Sequence, residues 1–167
     1  MAVTMTAQAP PGWHVRVSTR PQVASGSTDP TGLRRDGAGD VTRPVLHAAS
    51  RPLTTGLADF GGELIDALGP DDAFVALIDH GPEVAGSGLF ARKGRPTIAP
   101  SQFATNRLAR YVPGRSAGQW FFTEGGHGFC LYAVTGAHSR RMSIVPTIAT
   151  VVSSIRVAAS GNIGGVG

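Results

Sequence analysis

Cysteine is almost absent from this 167-residue chain, where Cys130 stands alone. One thiol excludes an intramolecular disulfide framework and any thiolate zinc cluster built by a single chain. Lysine is nearly missing too: Lys93 is the one lysine among fifteen basic residues, the rest being arginine. That bias fits a GC-rich coding sequence as well as it fits phosphate recognition. Long apolar runs are lacking; stretches such as Phe74 to Ile78 and Phe129 to Val134 are far too short for a membrane-spanning helix. The five histidines show no His-x-x-x-His spacing, and no Gly-Lys-Ser/Thr phosphate loop is present. Neither a signal-peptide body, an Asn-x-Ser/Thr acceptor nor a lipidation pattern is evident, so a cytoplasmic protein without a membrane anchor is expected.

What is present is apolar enough for a core: 41% hydrophobic, 16% charged and 7% aromatic residues. The 23 glycines and 12 prolines mean that the globular part is smaller than the chain. Charge is unevenly spread. Residues 1–91 carry six basic and ten acidic groups, whereas residues 92–167 carry nine basic groups and one acid, Glu124. Such a split can mark a face for an acidic partner, with Arg92, Lys93, Arg95, Arg140 and Arg141 as the anion- or partner-binding candidates. A solvated surface is the commoner meaning. Aromatics interleave with these arginines, as in single-strand binders, but they occupy positions where core packing is the default. Nucleic acid is therefore disfavoured as a partner.

Residues 13–19 alternate, with Trp13, Val15 and Val17 on one side, which predicts a half-buried strand. A Gly/Ser/Asp-rich insert fills 22–43. Val45 to Ala49 predicts a short strand and Phe60 to Leu68 a helix capped by Asp59 and stopped by Gly69-Pro70. Ala73 to Ile78 has the pattern of a strand covered on both faces, with Val84 to Ala91 as its neighbour. A short helix near Thr105 to Val112 is expected. Gln119–Thr123 and Gly128–Thr135 read as a hairpin joined by Glu124-Gly125-Gly126-His127. Ser143 can cap a terminal helix in which Ile144, Ile148, Val151, Val152 and Ile155 repeat at helical spacing.

These elements imply an α+β fold. The sheet should be mostly antiparallel, of about five to six strands, with a C-terminal helix packed on one face and one or two short helices. One domain should span 13–157, between a flexible N-terminus (1–12) and a Gly-rich tail (158–167).

The catalytic candidates are His127, Cys130 and Glu124, since an imidazole can activate a nearby thiol while a carboxylate orients the ring. Residues three apart on a strand face opposite ways, however, which separates His127 from Cys130. Cys130 lies between Phe129 and Leu131, where a small buried hydrophobe is usual, and His127 is expected at a solvent-facing turn. Asp79, His80 and Glu83 share one turn and could hold a cation, although an exposed polar turn is the simpler account. No metal or cofactor is expected.

Apolar supply is the stronger signal. Trp120 and Phe122 point one way and Phe121 the other, so both faces of the hairpin are greasy, as are both faces of 73–78. One terminal helix covers one face. The other needs the short helices, a bound apolar ligand or another subunit, and Trp120, Phe121 and Phe122 are the candidates for an apolar interface.

Trp120-Phe121-Phe122-Thr123-Glu124-Gly125 with Gly128-Phe129-Cys130-Leu131-Tyr132 resembles a family of small uncharacterised proteins of high-GC Gram-positive bacteria. Val45-Leu46-His47-Ala48-Ala49, Asp59-Phe60-Gly61 and Gly88-Leu89-Phe90 extend the match. The resemblance implies a shared fold and lineage and transfers no catalytic residues. The order of strands then terminal helix is also similar to small Mog1/PsbP-type domains, which act as binding modules. The expectation is a soluble, non-enzymatic binding or assembly module, engaging a partner, a second copy or an apolar ligand through its second apolar face or its basic surface. A small thiol enzyme or hydrolase centred on His127, Cys130 and Glu124 is the alternative.

Overall fold

The computed structural model describes residues 3–21 and 42–159. Most of the 22–43 insert and residues 160–167 of the tail lie outside them. Five strands form an antiparallel sheet in the order β2-β3-β4-β6-β5: β2 (His14–Pro21), β3 (Thr42–Ala49), β4 (Ala73–Gly81), β6 (His127–Thr135) and β5 (Ser116–Glu124). A second, two-stranded sheet pairs β1 (Val3–Thr6) with β7 (Arg156–Ala159). The helices are α1 (Leu64–Ala67) and α2 (Arg141–Ser154). The fold is α+β.

The central pair, β4 and β6, is where both faces must be dry. Every residue of β6 is buried, as is every residue of β4 but His80. On one face, Val75, Leu77, Phe129 and Leu131 meet Ile144, Ile148 and Val151 of α2 and the C-cap residue Ile155, with Val3 and Met5 of β1 alongside. Burying each such side chain contributes about 1.5–3 kcal/mol, and the 3.6-residue repeat of α2 brings them to one stripe. Pro146 is the sixth residue of α2, which begins at Arg141, ahead of the start expected from a Ser143 cap, so the Met142 carbonyl receives no i+4 N–H. Ser143 does not cap the helix: its hydroxyl donates to the Arg140 carbonyl, and Arg140 occupies the cap position without a side-chain bond.

The hairpin forms as the spacing predicts, β5 and β6 being joined by Gly125 and Gly126 with φ of 60° and 79°. A two-residue turn with both φ positive matches the strand twist, and glycine adopts it without strain.

Four expectations give way. The first is residues 84–91, which form 3-10 turns (Pro82–Val84 and Gly88–Phe90), not a strand. Pro82 lacks a ladder donor, and Gly81, Gly86 and Gly88 take positive φ. Next, the helix expected over 60–68 shrinks to α1, because Gly61 and Gly62 also turn to positive φ. The helix expected over 105–112 is a single 3-10 turn, Thr105–Arg107. Finally, the N-terminal residues are not loose: Val3 and Met5 alternate with exposed Thr4 and Thr6 and lie in the core, 5% and 4% exposed.

The alternation of β2 is real, but its burial is not as expected. Val15 and Val17 oppose Ala48 and Leu46 on the helix side, yet they are 38% and 41% exposed. As an edge strand, β2 lies beyond the reach of α2, which packs on β4 and β6.

Backbone segments cross closely at Gly136, whose N–H donates to the Asp72 carbonyl at 2.8 Å. A Cβ there would fall 1.8 Å from the Gly69 carbonyl oxygen. Gly136→Ala must push the 69–72 turn off β6, and we expect a loss of about 1–3 kcal/mol in urea unfolding. An unchanged midpoint would contradict this packing.

Candidate functional site

The second face of the sheet is floored by small side chains, Ala49, Ala76 and Ala117, among which Phe74 and Tyr132 stand up. Above them lie α1 and irregular loops. Leu64, Ile65, Leu68 and Val112 are buried against this face, with Leu53, Leu57, Phe60 and Leu108 half-buried over it. The cover expected from short helices, a ligand or a second subunit is thus internal, and most of it is loop.

Loops need their polar groups satisfied, and arginines do much of that work. Arg115 donates to the Asp66 and Leu68 carbonyls at the end of α1, and Arg110 pairs with the Asp66 carboxylate. Together they tie the 108–115 segment to α1. His47 contacts the Asp59 carbonyl at 3.0 Å through Nε2, fastening β3 to the turn that carries Phe60. That turn is pressed hard onto its neighbours: a Cβ on Gly61 would lie 2.7 Å from Ile65 Cδ1.

The loop cover does not close completely. A cavity of about 190 Å³ remains on this face, walled by Phe60, Ile65, Val112 and Tyr132, with Asp59 and Arg110 also lining it. The Phe60 ring stands edge-on to Tyr132, centroids 5.0 Å apart. Tyr132 is 2% exposed, and its hydroxyl accepts the Ala109 N–H at 2.9 Å. Burial pushes the phenol above its ordinary pKa, so it stays protonated at neutral pH.

The catalytic candidates do not converge. Cys130 is 1% exposed and packs with Val45 and Ile78 on the second face, where it accepts a hydrogen bond from the Gln119 amide. Burial pushes the thiol up to about 11. His127 is on the opposite face and is not the solvent-facing turn residue expected: it is 5% exposed, and its Nδ1 lies 3.0 Å from Asp79 Oδ1. The ladder register sets Asp79 opposite Phe129, so Asp79 is diagonal to His127, which shares the face of Phe129 by strand alternation. The same carboxylate oxygen accepts the Gly81 N–H at 2.7 Å.

Glu124 and His127 stand at Glu-x-x-His spacing, but as cross-strand partners at a hairpin end, not as neighbours on a helix. Glu124 bonds to Arg95 at 2.6 Å. Nor do Asp79, His80 and Glu83 share a cation. Asp79 holds His127, and Glu83 pairs with Arg43 at 2.8 Å. Among the described residues no group of three or more such side chains could hold a metal.

The basic candidates separate likewise. Arg95 donates to the Val152 and Ile155 carbonyls at the C-terminal end of α2, and Arg141 donates to the His138 carbonyl at its start. Arg140 pairs with Asp71. Arg92 and Lys93 are exposed, and neither makes an ion pair among the described residues. The two groups stand near opposite ends of a 14-residue helix, about 20 Å apart. The expected apolar interface is also spent within the fold. Phe122 is in the core, Trp120 packs on Phe103, and Phe121 meets Phe90 edge-on at 5.5 Å.

Sequence reasoning missed both Tyr132 as a cavity residue and the Asp79–His127 pair. No local pattern marks either, since the pair joins residues 48 apart and the cavity is walled by separate segments of the chain. No protein-family model matches the chain, and no curated protein matches it.

Cys130 should resist alkylation in the native protein and react fully in urea. At pH 8 its thiolate fraction is about one in a thousand. Stoichiometric labelling of the folded chain would restore a reactive thiol.

Proposed function

We propose that this chain is a non-enzymatic binding module that takes a small, mainly apolar ligand in the cavity on its second sheet face. One observation carries the proposal: a hollow of about 190 Å³ bounded by Phe60, Ile65, Val112 and Tyr132 on a face otherwise lined by packed apolar side chains. A dry apolar cavity of about 150 Å³ suffices for benzene. The volume therefore suits a ligand of one ring with a short substituent. The absence of a converging acid, base and nucleophile among the described residues favours binding over catalysis. A buried, unpaired thiol suits a reducing, cytoplasmic setting.

Titrating toluene into the labelled protein and following side-chain NMR tests the proposal. Saturable shifts at Phe60, Ile65, Val112 and Tyr132 are expected; no saturation, or shifts centred elsewhere, would remove the cavity as the binding site.

A second copy is the other reading, favoured by the outer edge of β2, which no strand pairs among the described residues and where Val15 and Val17 are exposed. Antiparallel self-pairing about Val17 would set Val15 against Thr19 and Arg16 against Ser18, with no like charges opposed among those pairs. Light scattering across a concentration series should then show a dimer that Val17→Lys dissolves. A monomer at every concentration would leave the cavity reading alone.

A further inference from the structure

Tyr132 is the one polar side chain built into the cavity wall from the sheet itself. A phenol hydroxyl has one donor hydrogen and two acceptor lone pairs. One lone pair is used by the Ala109 N–H, and both residues line the hollow. Its hydrogen meets no acceptor among the described residues: the Ala109 bond is the hydroxyl's sole hydrogen bond there, with the phenol as acceptor. Leaving a buried donor unmade costs about 1–3 kcal/mol, which a native fold rarely accepts without a bound partner.

We infer that the cavity selects an aromatic or similarly flat apolar ligand carrying a hydrogen-bond acceptor, such as a ketone or ester carbonyl, that takes the Tyr132 hydroxyl proton in a hydrogen bond. This rests on the cavity being a ligand site. The neighbouring groups explain why the acceptor belongs at Tyr132. Phe60 and Ile65 offer only apolar surface, and Arg110 is already paired with Asp66 across the 108–115 segment. The Ala109 N–H fixes the phenol oxygen, so the donor is held in place before a ligand arrives. A polar anchor of this kind distinguishes ligands more sharply than added apolar contact does, because an analogue lacking the acceptor leaves the hydroxyl unpaired.

The test compares acetophenone with α-methylstyrene, in which a CH2 group replaces the carbonyl oxygen at nearly the same shape. Both are titrated into the full chain and into Tyr132→Phe. Acetophenone should bind several-fold more weakly to Tyr132→Phe, about three- to tenfold for one net hydrogen bond. Binding of α-methylstyrene should change less than twofold. Equal effects on the two probes would overturn the inference while leaving the cavity as a site. Failure of both probes to bind the wild-type protein would instead overturn the cavity reading.

Should Tyr132→Phe fail to fold, the carbonyl stretch of acetophenone bound to the wild-type protein gives an independent answer. A band lowered from its frequency in alkane, and still lowered in Arg110→Met, supports donation by Tyr132. A band at the alkane frequency, or one that returns to it in Arg110→Met, overturns it.

Discussion

Two strands of this protein must be kept dry on both sides, and it has one helix of useful length. Everything else in the architecture answers that shortage. α2 and the β1–β7 ribbon close one face of β4 and β6. The other is closed by a four-residue helix and loops rich in glycine and proline. Loops pack apolar side chains as well as helices do, but they leave carbonyls without ladder partners.

The arginine bias of the sequence gains a physical meaning in this setting. Arg16 donates to the Leu53 and Thr54 carbonyls, Arg95 to those of Val152 and Ile155, and Arg115 to those of Pro113, Asp66 and Leu68. A guanidinium has five donors in a rigid fork, so it can brace two carbonyls of an irregular segment at once. Lysine, a point charge on a flexible stem, could not hold the same geometry. Part of the positive charge that might have marked an anionic partner is therefore internal carpentry.

The same shortage of helix accounts for the cavity. Loops anchored at a few points, by His47 on the Phe60 turn and by Arg110 and Arg115 on α1, meet over Tyr132 without closing the space between them. An α-helix laid along that face would have presented side chains at regular intervals. The hollow thus sits where the fold is least regular, above the part that is most rigid. A rigid floor and an adaptable cover suit a binding site.

Much of this was legible in the residues themselves. The two-faced strand at 73–78, the Gly-Gly hairpin and the helical repeat from Ile144 to Ile155 are local patterns, fixed by side-chain period and turn chemistry, and they define the α+β class. The separation of His127 from Cys130 follows from strand geometry alone. Tertiary structure decided what no local pattern carries. It placed Val3 and Met5 in the core through a strand more than 150 residues away. It set Asp79 of another strand beside His127, 48 residues away in the chain. It also let glycines and prolines convert an expected strand and two expected helices into cover. Periodicity reports which face a side chain takes, whereas burial depends on which distant segment arrives to meet it.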